Sequence, residues 1–273
     1  MMKNLITAIL ILTLAGAAGA TPYLGGFVEG AHSMRIDSND AIDGGLGFGH
    51  RDYPRSEMRA QFTASDGMGD AEYFLRMDLL SDATRPAGDR VSLDLREAYL
   101  KLYPADWLEL KLGRQVATWG TGDFVFANDL FAKSWQAFFT GLDDAYLKPP
   151  QDLLRATFFF GGKTAELAWS PRFTPDTLPD GSRLSMYDPF AGAYAAAGAM
   201  PTVLSPPGGA SNGELFARLF ASSGSYEWAL YGYKGFWPTP QGVVMSPGAG
   251  PRLGYPELSS TGASLRGPLG SFL

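Results

Sequence analysis

The sequence predicts an all-β fold, a transmembrane antiparallel up-and-down β-barrel of about ten strands, and three observations carry that prediction. Ten short segments alternate apolar and polar residues at every step, which is the period of a strand and not of a helix. The connections between them sort by length, long after segments one, five, seven and nine, moderate after three, short after two, four, six and eight. Past Ala20 no apolar stretch approaches the roughly 20 residues that a membrane helix needs, so any crossing of a bilayer is made by strands. A sandwich in water has no reason to sort its loops in this way. A membrane barrel does, because its short turns face one compartment and its long loops the other.

The chain opens on a leader. Lys3 gives a positive start, Leu5 to Ala15 is apolar, and Ala18-Gly19-Ala20 is a small-x-small cleavage site, so residues 1–20 read as a signal peptide and 21–273 as the barrel domain. The apolar run is too short for an anchoring helix and has no basic flank after it. Cysteine is absent, so the exported chain carries no disulfide and no thiol nucleophile or ligand. Aromatic residues at 13% and 34 glycines fit short strands, tight turns and interfacial girdles. The net charge of −6, more acidic still without Lys3, excludes nucleic acid as a natural partner.

Taken in order, segment one runs from Tyr23 to Ile36 and is followed by a Gly- and Asp-rich connection. Segments two and three, Glu57–Ala64 and Glu72–Leu79, are joined by a short exit, Ser65 to Asp70. Segments four and five form the central hairpin, Val91–Leu102 and Leu108–Leu112, reversed by Pro104-Ala105-Asp106. In the fourth, Val91, Leu93 and Leu95 share one parity and Ala98, Leu100 and Leu102 the other, which requires a bulge near Arg96-Glu97. Segments six and seven, Leu153–Phe160 and Thr164–Ser170, flank Gly161-Gly162-Lys163. Segments eight and nine, Glu214–Ala221 and Glu227–Tyr233, flank Ser222 to Ser225, and the tenth is Leu258–Leu265. An Ala-rich patch from Ala191 to Met200 suits a short helix.

On these segments one face is Leu, Ala, Phe and Trp and the other Glu, Arg, Lys and Gln, which suits lipid on one side and water on the other. A closed barrel is the sheet that satisfies all its backbone groups in hydrocarbon. Tyr73, Trp107, Phe160, Trp169 and Trp228 stand toward strand ends, where an interfacial girdle belongs.

The stretch LREAYLKLYPADWLELKLGRQVATWG, followed by DFVFANDLF, resembles the porin-like outer-membrane barrels of Gram-negative bacteria, including the group related to alginate-export porins. The resemblance covers mainly Leu93 to Leu130, with weaker echoes at Ser170 to Phe173 and Gly262 to Pro268. It implies a channel in the outer membrane, with outer-membrane lipid and small polar solutes as partners and a homo-oligomer among its forms. The chain departs from that pattern at its end: such barrels commonly have about sixteen strands or more and close on an aromatic residue, whereas this sequence stops at GPLGSFL. That departure favours a truncated chain and an incomplete barrel; a small closed barrel is the alternative, because ten strands satisfy the even-number rule.

The polar parity gives the pore lining, of which Arg59, Arg76, Arg96, Glu97, Lys101, Glu109, Lys111, Arg114, Gln115 and Arg155 are the chosen candidates. Mixed charge can guide a small solute; the plainer reading is cross-strand ion pairs that brace the wall. Arg114 follows Gly113 and breaks the alternation, which is expected to turn it inward beside Arg96, Glu97 and Arg155. The connection Gly120 to Gln151 is too long for a plain turn and rich in aromatics. It is expected to fold across the mouth as a constriction loop, with Asp123, Phe124, Phe126, Asp129 and Trp135 as its candidate residues.

Enzymatic chemistry finds no footing. His32 and Ser33 are neighbours in a strand and point to opposite faces, and His50 lies in a Gly-rich loop. Asp143-Asp144 falls short of the six to eight oxygens calcium takes, so no metal, catalytic residue or cofactor is assigned. Three functions remain, in order: a porin-like channel, a surface binding barrel or adhesin that acts through its loops, and a soluble exported β-protein that binds carbohydrate.

Overall fold

The computed structural model describes residues 22–36, 53–85, 87–119, 126–181, 183–195, 202–246 and 250–268. The leader at 1–20, the connection around His50, and the candidates Asp123 and Phe124 lie outside the described residues. Among the described residues the chain is all-β with one short α-helix. Fifteen strands occur in order among the described residues: β1 (Tyr23–Ser33), β2 (Arg55–Met68), β3 (Ala71–Asp82), β4 (Val91–Ala105), β5 (Leu108–Gln115), then the helix α1 (Trp135–Phe139), β6 (Gln151–Phe160), β7 (Lys163–Ser170), β8 (Met186–Asp188), β9 (Ala193–Ala195), β10 (Val203–Leu204), β11 (Glu214–Ser223), β12 (Tyr226–Phe236), β13 (Gly242–Ser246), β14 (Gly250–Gly254) and β15 (Glu257–Arg266).

Ten of these form one sheet in the order β1-β2-β3-β4-β5-β6-β7-β11-β12-β15. Every neighbouring pair is antiparallel, so the sheet is a meander. These ten strands are the ten alternating segments of the sequence, most of them lengthened by a few residues. The remaining five strands decorate two connections, as a hairpin β8–β9 and a small sheet β10-β14-β13. Of the Ala-rich patch expected to suit a short helix, 196–200 lie outside the described residues, and the described part differs from that expectation. Its residues Ala193–Ala195 are strand β9, paired with β8, and Tyr194 meets Tyr187 edge to face. Local propensity yields to that pairing.

Turn chemistry explains the short ends. Gly161 and Gly162 both take positive φ, 53° and 73°, the two-residue reversal whose twist matches a hairpin. The bulge in β4 falls where the parity shift requires it: Leu95 pairs with Met77 and Glu97 with Arg76, leaving Arg96 as the extra residue. In β5 the register instead runs unbroken through Gly113, whose φ of 122° would be strained in any other residue. A Cβ there would meet the Ala98 carbonyl oxygen at 2.4 Å.

The two faces of the sheet differ. The open face presents Val28, Met58, Phe62, Leu79, Leu167, Trp169, Leu230 and Leu265, which are between 38% and 73% exposed. The covered face carries the charges of β2–β7 and is overlaid by the connections at 126–150 and 171–181. At its β6–β12 end it is apolar. There Trp119 and Phe131 of the first connection pack on Leu153, Ala168, Phe216, Ala229, Tyr231 and Tyr233. The Phe131 ring stacks on Phe216 at 4.1 Å and meets Trp119 edge-on at 5.1 Å. β1 and β15 stand at the two ends of the sheet, and no pairing joins them among the described residues.

Candidate functional site

Between the covered face of β2–β4 and the overlying connections lies a cavity of about 550 Å³. Its wall on the sheet side includes Glu57, Arg59, Asp78 and Arg96, and on the other side Ser134, Gln136, Tyr146 and Arg183. Alternation puts the first three on one face because Glu57, Arg59 and Gln61 are two residues apart and Gln61 sits opposite Asp78. Arg96 joins them through the bulge.

Charge alternates along this wall. Arg55 bonds to Glu29 at 2.6 Å and to Glu57 at 3.0 Å; Arg59 bonds to Glu57 at 3.1 Å and to Asp78 at 2.9 Å. Arg55, Glu57, Arg59 and Asp78 are all buried. Buried charges persist when paired in this way, because each partner replaces part of the hydration that the other has lost. At the end of β3, Asp82 holds Arg85 at 3.1 Å and also pairs with Arg183 of the second long connection.

Tyr146 stands in the middle of the network. Its ring lies 3.9 Å from the Arg59 guanidinium and 4.6 Å from that of Arg96. Its hydroxyl donates to Asp78 Oδ2 at 2.8 Å and accepts from Gln61 Nε2 at 3.3 Å. Burial, with the hydrogen bond to Asp78 next in weight, pushes this phenol up to about 12. The turn that carries it is capped by Asp143, whose side chain accepts from the Ala145 N–H at 2.9 Å. Arg96 also donates to the Ala145 and Lys148 carbonyls, and Arg55 to that of Gly141.

Arg114 also borders this cavity, with Arg96; the other candidates are dispersed over the covered face. Arg76 pairs with Glu97 at 3.0 Å and Lys101 with Glu72 at 3.2 Å, while Arg155 pairs with Glu166, which also holds Arg218 at 2.9 Å. Lys111 lies 3.7 Å from the centre of the Tyr99 ring, and Glu109 stands opposite Thr157. Gln115 is fully buried, bonded to the Leu153 carbonyl at 3.2 Å. Arg114 keeps register opposite Asp152, bonds to it at 3.4 Å, and donates to the Leu95 carbonyl at 2.8 Å. Among the described residues no hydrogen bond or ion pair joins any two of Arg96, Glu97, Arg114 and Arg155. Cross-strand bracing thus accounts for the contacts of Arg76, Lys101 and Arg155.

Of the constriction-loop candidates, Phe126, Asp129 and Trp135 turn away from the cavity and join the connection to itself and to its neighbour. Asp129 accepts from Thr118 at 2.6 Å and pairs with Lys133 at 3.3 Å; Phe126 lies beneath that ammonium at 4.8 Å. Asp176, from the second long connection, accepts from the Lys133 N–H at 2.7 Å and from Trp135 Nε1 at 2.8 Å. Burial lowers Lys133 and raises Asp176 relative to their ordinary values.

Tyr146, like Arg55 and Arg183, is a functional-site residue that the sequence pattern did not single out. The signal was available: one aromatic residue within GLDDAYLK, a turn otherwise made for solvent. His32 bonds through its ring to Ser56 at 3.2 Å and Ser33 to the Arg55 carbonyl, so the two act separately. Among the described residues no group of three or more His, Cys, Asp or Glu is placed to hold a metal ion, and no helix is long and apolar enough to cross a membrane, which leaves crossing by strands untouched. No protein-family model matches the chain, and no curated protein matches it.

Proposed function

We propose that the chain is a porin-like channel of the Gram-negative outer membrane, exported by its leader, which passes small polar solutes along the charged face of its sheet. The observation that carries this reading is the open face. An antiparallel sheet that leaves Met58, Leu79, Leu167, Leu230 and Leu265 exposed on the face where Ala64, Leu75, Leu95 and Ala98 form a buried apolar cluster presents a surface suited to an apolar surrounding. The opposite face, charged and bordering a cavity, supplies the wet side. Sorting of loop lengths agrees: two-residue turns at Gly69-Asp70, Asp106-Trp107, Gly161-Gly162 and Gly224-Ser225 share one end of the sheet, and the long connections the other.

The reading requires that β1 and β15 be paired in the membrane, with each other as a closed barrel or with further strands, because open edges do not survive in hydrocarbon. Fractionation tests location: the protein is expected in detergent-extracted outer membranes, with a folded band that shifts on heating in detergent. Release by salt or osmotic shock overturns it. Planar bilayers test transport, where discrete conductance steps are expected. A second reading, a barrel that binds at its surface with a filled lumen, draws support from the aromatic plug of Trp119 and Phe131. It predicts membrane location without conductance.

A further inference from the structure

The seat of Tyr146 is built like a binding site. Two guanidiniums flank one ring, at 3.9 and 4.6 Å, an arrangement that holds a planar π-system by its faces. At the ring's far end a carboxylate accepts the phenol hydrogen and an amide donates to its oxygen. Asp78 already bonds Arg59 at 2.9 Å and Gln61 at 3.0 Å, so this pocket is assembled by the sheet without help from the tyrosine. The occupant comes from a short connecting segment tied at both ends and exposed in its middle. Asp143, Asp144 and Ala145 are exposed; at the two ends of the segment Leu142 N–H donates to the Ala137 carbonyl, the Leu147 carbonyl accepts from Ser134 N–H, and Arg55 and Arg96 take the carbonyls of Gly141, Ala145 and Lys148. Beside the seat lies the open cavity through which another molecule can reach it.

We propose that this seat is a recognition site for planar phenolic solutes, and that the strap at 141–148 keeps it shut by inserting the chain's own phenol. A solute of like chemistry takes the place of Tyr146 and frees the strap from the cavity. This names a solute class for the channel proposed above and rests on that reading only for passage after binding; the binding itself is measured apart from conductance.

The probe is 4-methylphenol, the tyrosine side chain cut at Cβ, with toluene as the control that lacks the hydroxyl. In detergent-folded protein, Tyr146→Ala is expected to bind 4-methylphenol at least tenfold more tightly than toluene, read as a rise in the thermal midpoint and by titration. Asp78→Asn in the same background is expected to erase that preference. Because the chain has no cysteine, a single Asp144→Cys in the otherwise unaltered protein takes one fluorescent label. Its emission is expected to change with 4-methylphenol and not with toluene. This second measurement decides the matter if the Tyr146→Ala protein does not fold. Equal response to both probes, or none to either, overturns the proposal. A conductance failure with phenol binding intact overturns the channel and leaves the site standing.

Discussion

Gly113 and Tyr146 show how much one residue can control in this sheet. At Gly113, positive φ and a carbonyl oxygen 2.4 Å from where a Cβ would stand leave no room for a side chain. Gly113→Ala is expected to cost about 1–3 kcal/mol, measured as a lower urea midpoint of the folded band, while Gly224→Ala, at a turn with nothing within 4 Å, should cost less. Tyr146 makes a prediction about pH. A free phenol ionises near 10 and this one only near 12, so the folded state keeps its proton after the unfolded state has lost it. Its stabilising effect is therefore complete below about pH 10 and is lost as pH climbs toward 12. In Tyr146→Phe that share of the alkaline loss should vanish, along with roughly 1 kcal/mol of hydrogen bonding at neutral pH. An identical alkaline unfolding curve for the two proteins would remove Tyr146 from the account.

At the scale of elements, strands were legible and the paths of the connections were not. Period-two alternation identifies a strand from its own residues, and the parity shift between Leu95 and Ala98 located the bulge because sequence order alone fixes which side each residue takes. No such rule governs the connection at 116–150. The aromatics of 120–151 were expected to narrow a mouth; one of them, Phe131, joins Trp119 just before that stretch in an aromatic core against β11 and β12, contacts made across about a hundred residues that no local pattern encodes. Arg76, Glu97, Lys101 and Arg155 were found as charges on one face, yet only register shows that they meet acids or bases across the strands and spend their charge there. Lys133 ties the two overlying connections together, with its ammonium on Asp129 and its backbone on Asp176 and Thr177. Lys133→Met leaves Asp129 buried without its cation, which should cost about 3–5 kcal/mol. The double change Lys133→Met with Asp129→Asn should recover most of that. The same order of stabilities, read by protease cleavage in 126–150 while the strands persist, would show that the connections release as a unit.

For the whole molecule, the decisive quantity is the free energy of the open face in its true surroundings. In water, leucines left about half exposed gain little, and an added charge at Leu167 would be nearly neutral, within about 0.5 kcal/mol, as at most surface positions. In a bilayer the same arginine must be drawn from water into hydrocarbon, at a cost of about 2–4 kcal/mol near the midplane, falling toward the interfaces. Leu167→Arg therefore separates the membrane reading from every soluble one. In lipid vesicles its urea midpoint should fall well below that of the unaltered protein, and Lys163→Arg, at the turn end of the same strand, should match the unaltered protein. Equal midpoints for Leu167→Arg and the unaltered protein would mean that the open face meets water or another protein surface, and the proposed channel would lose its support.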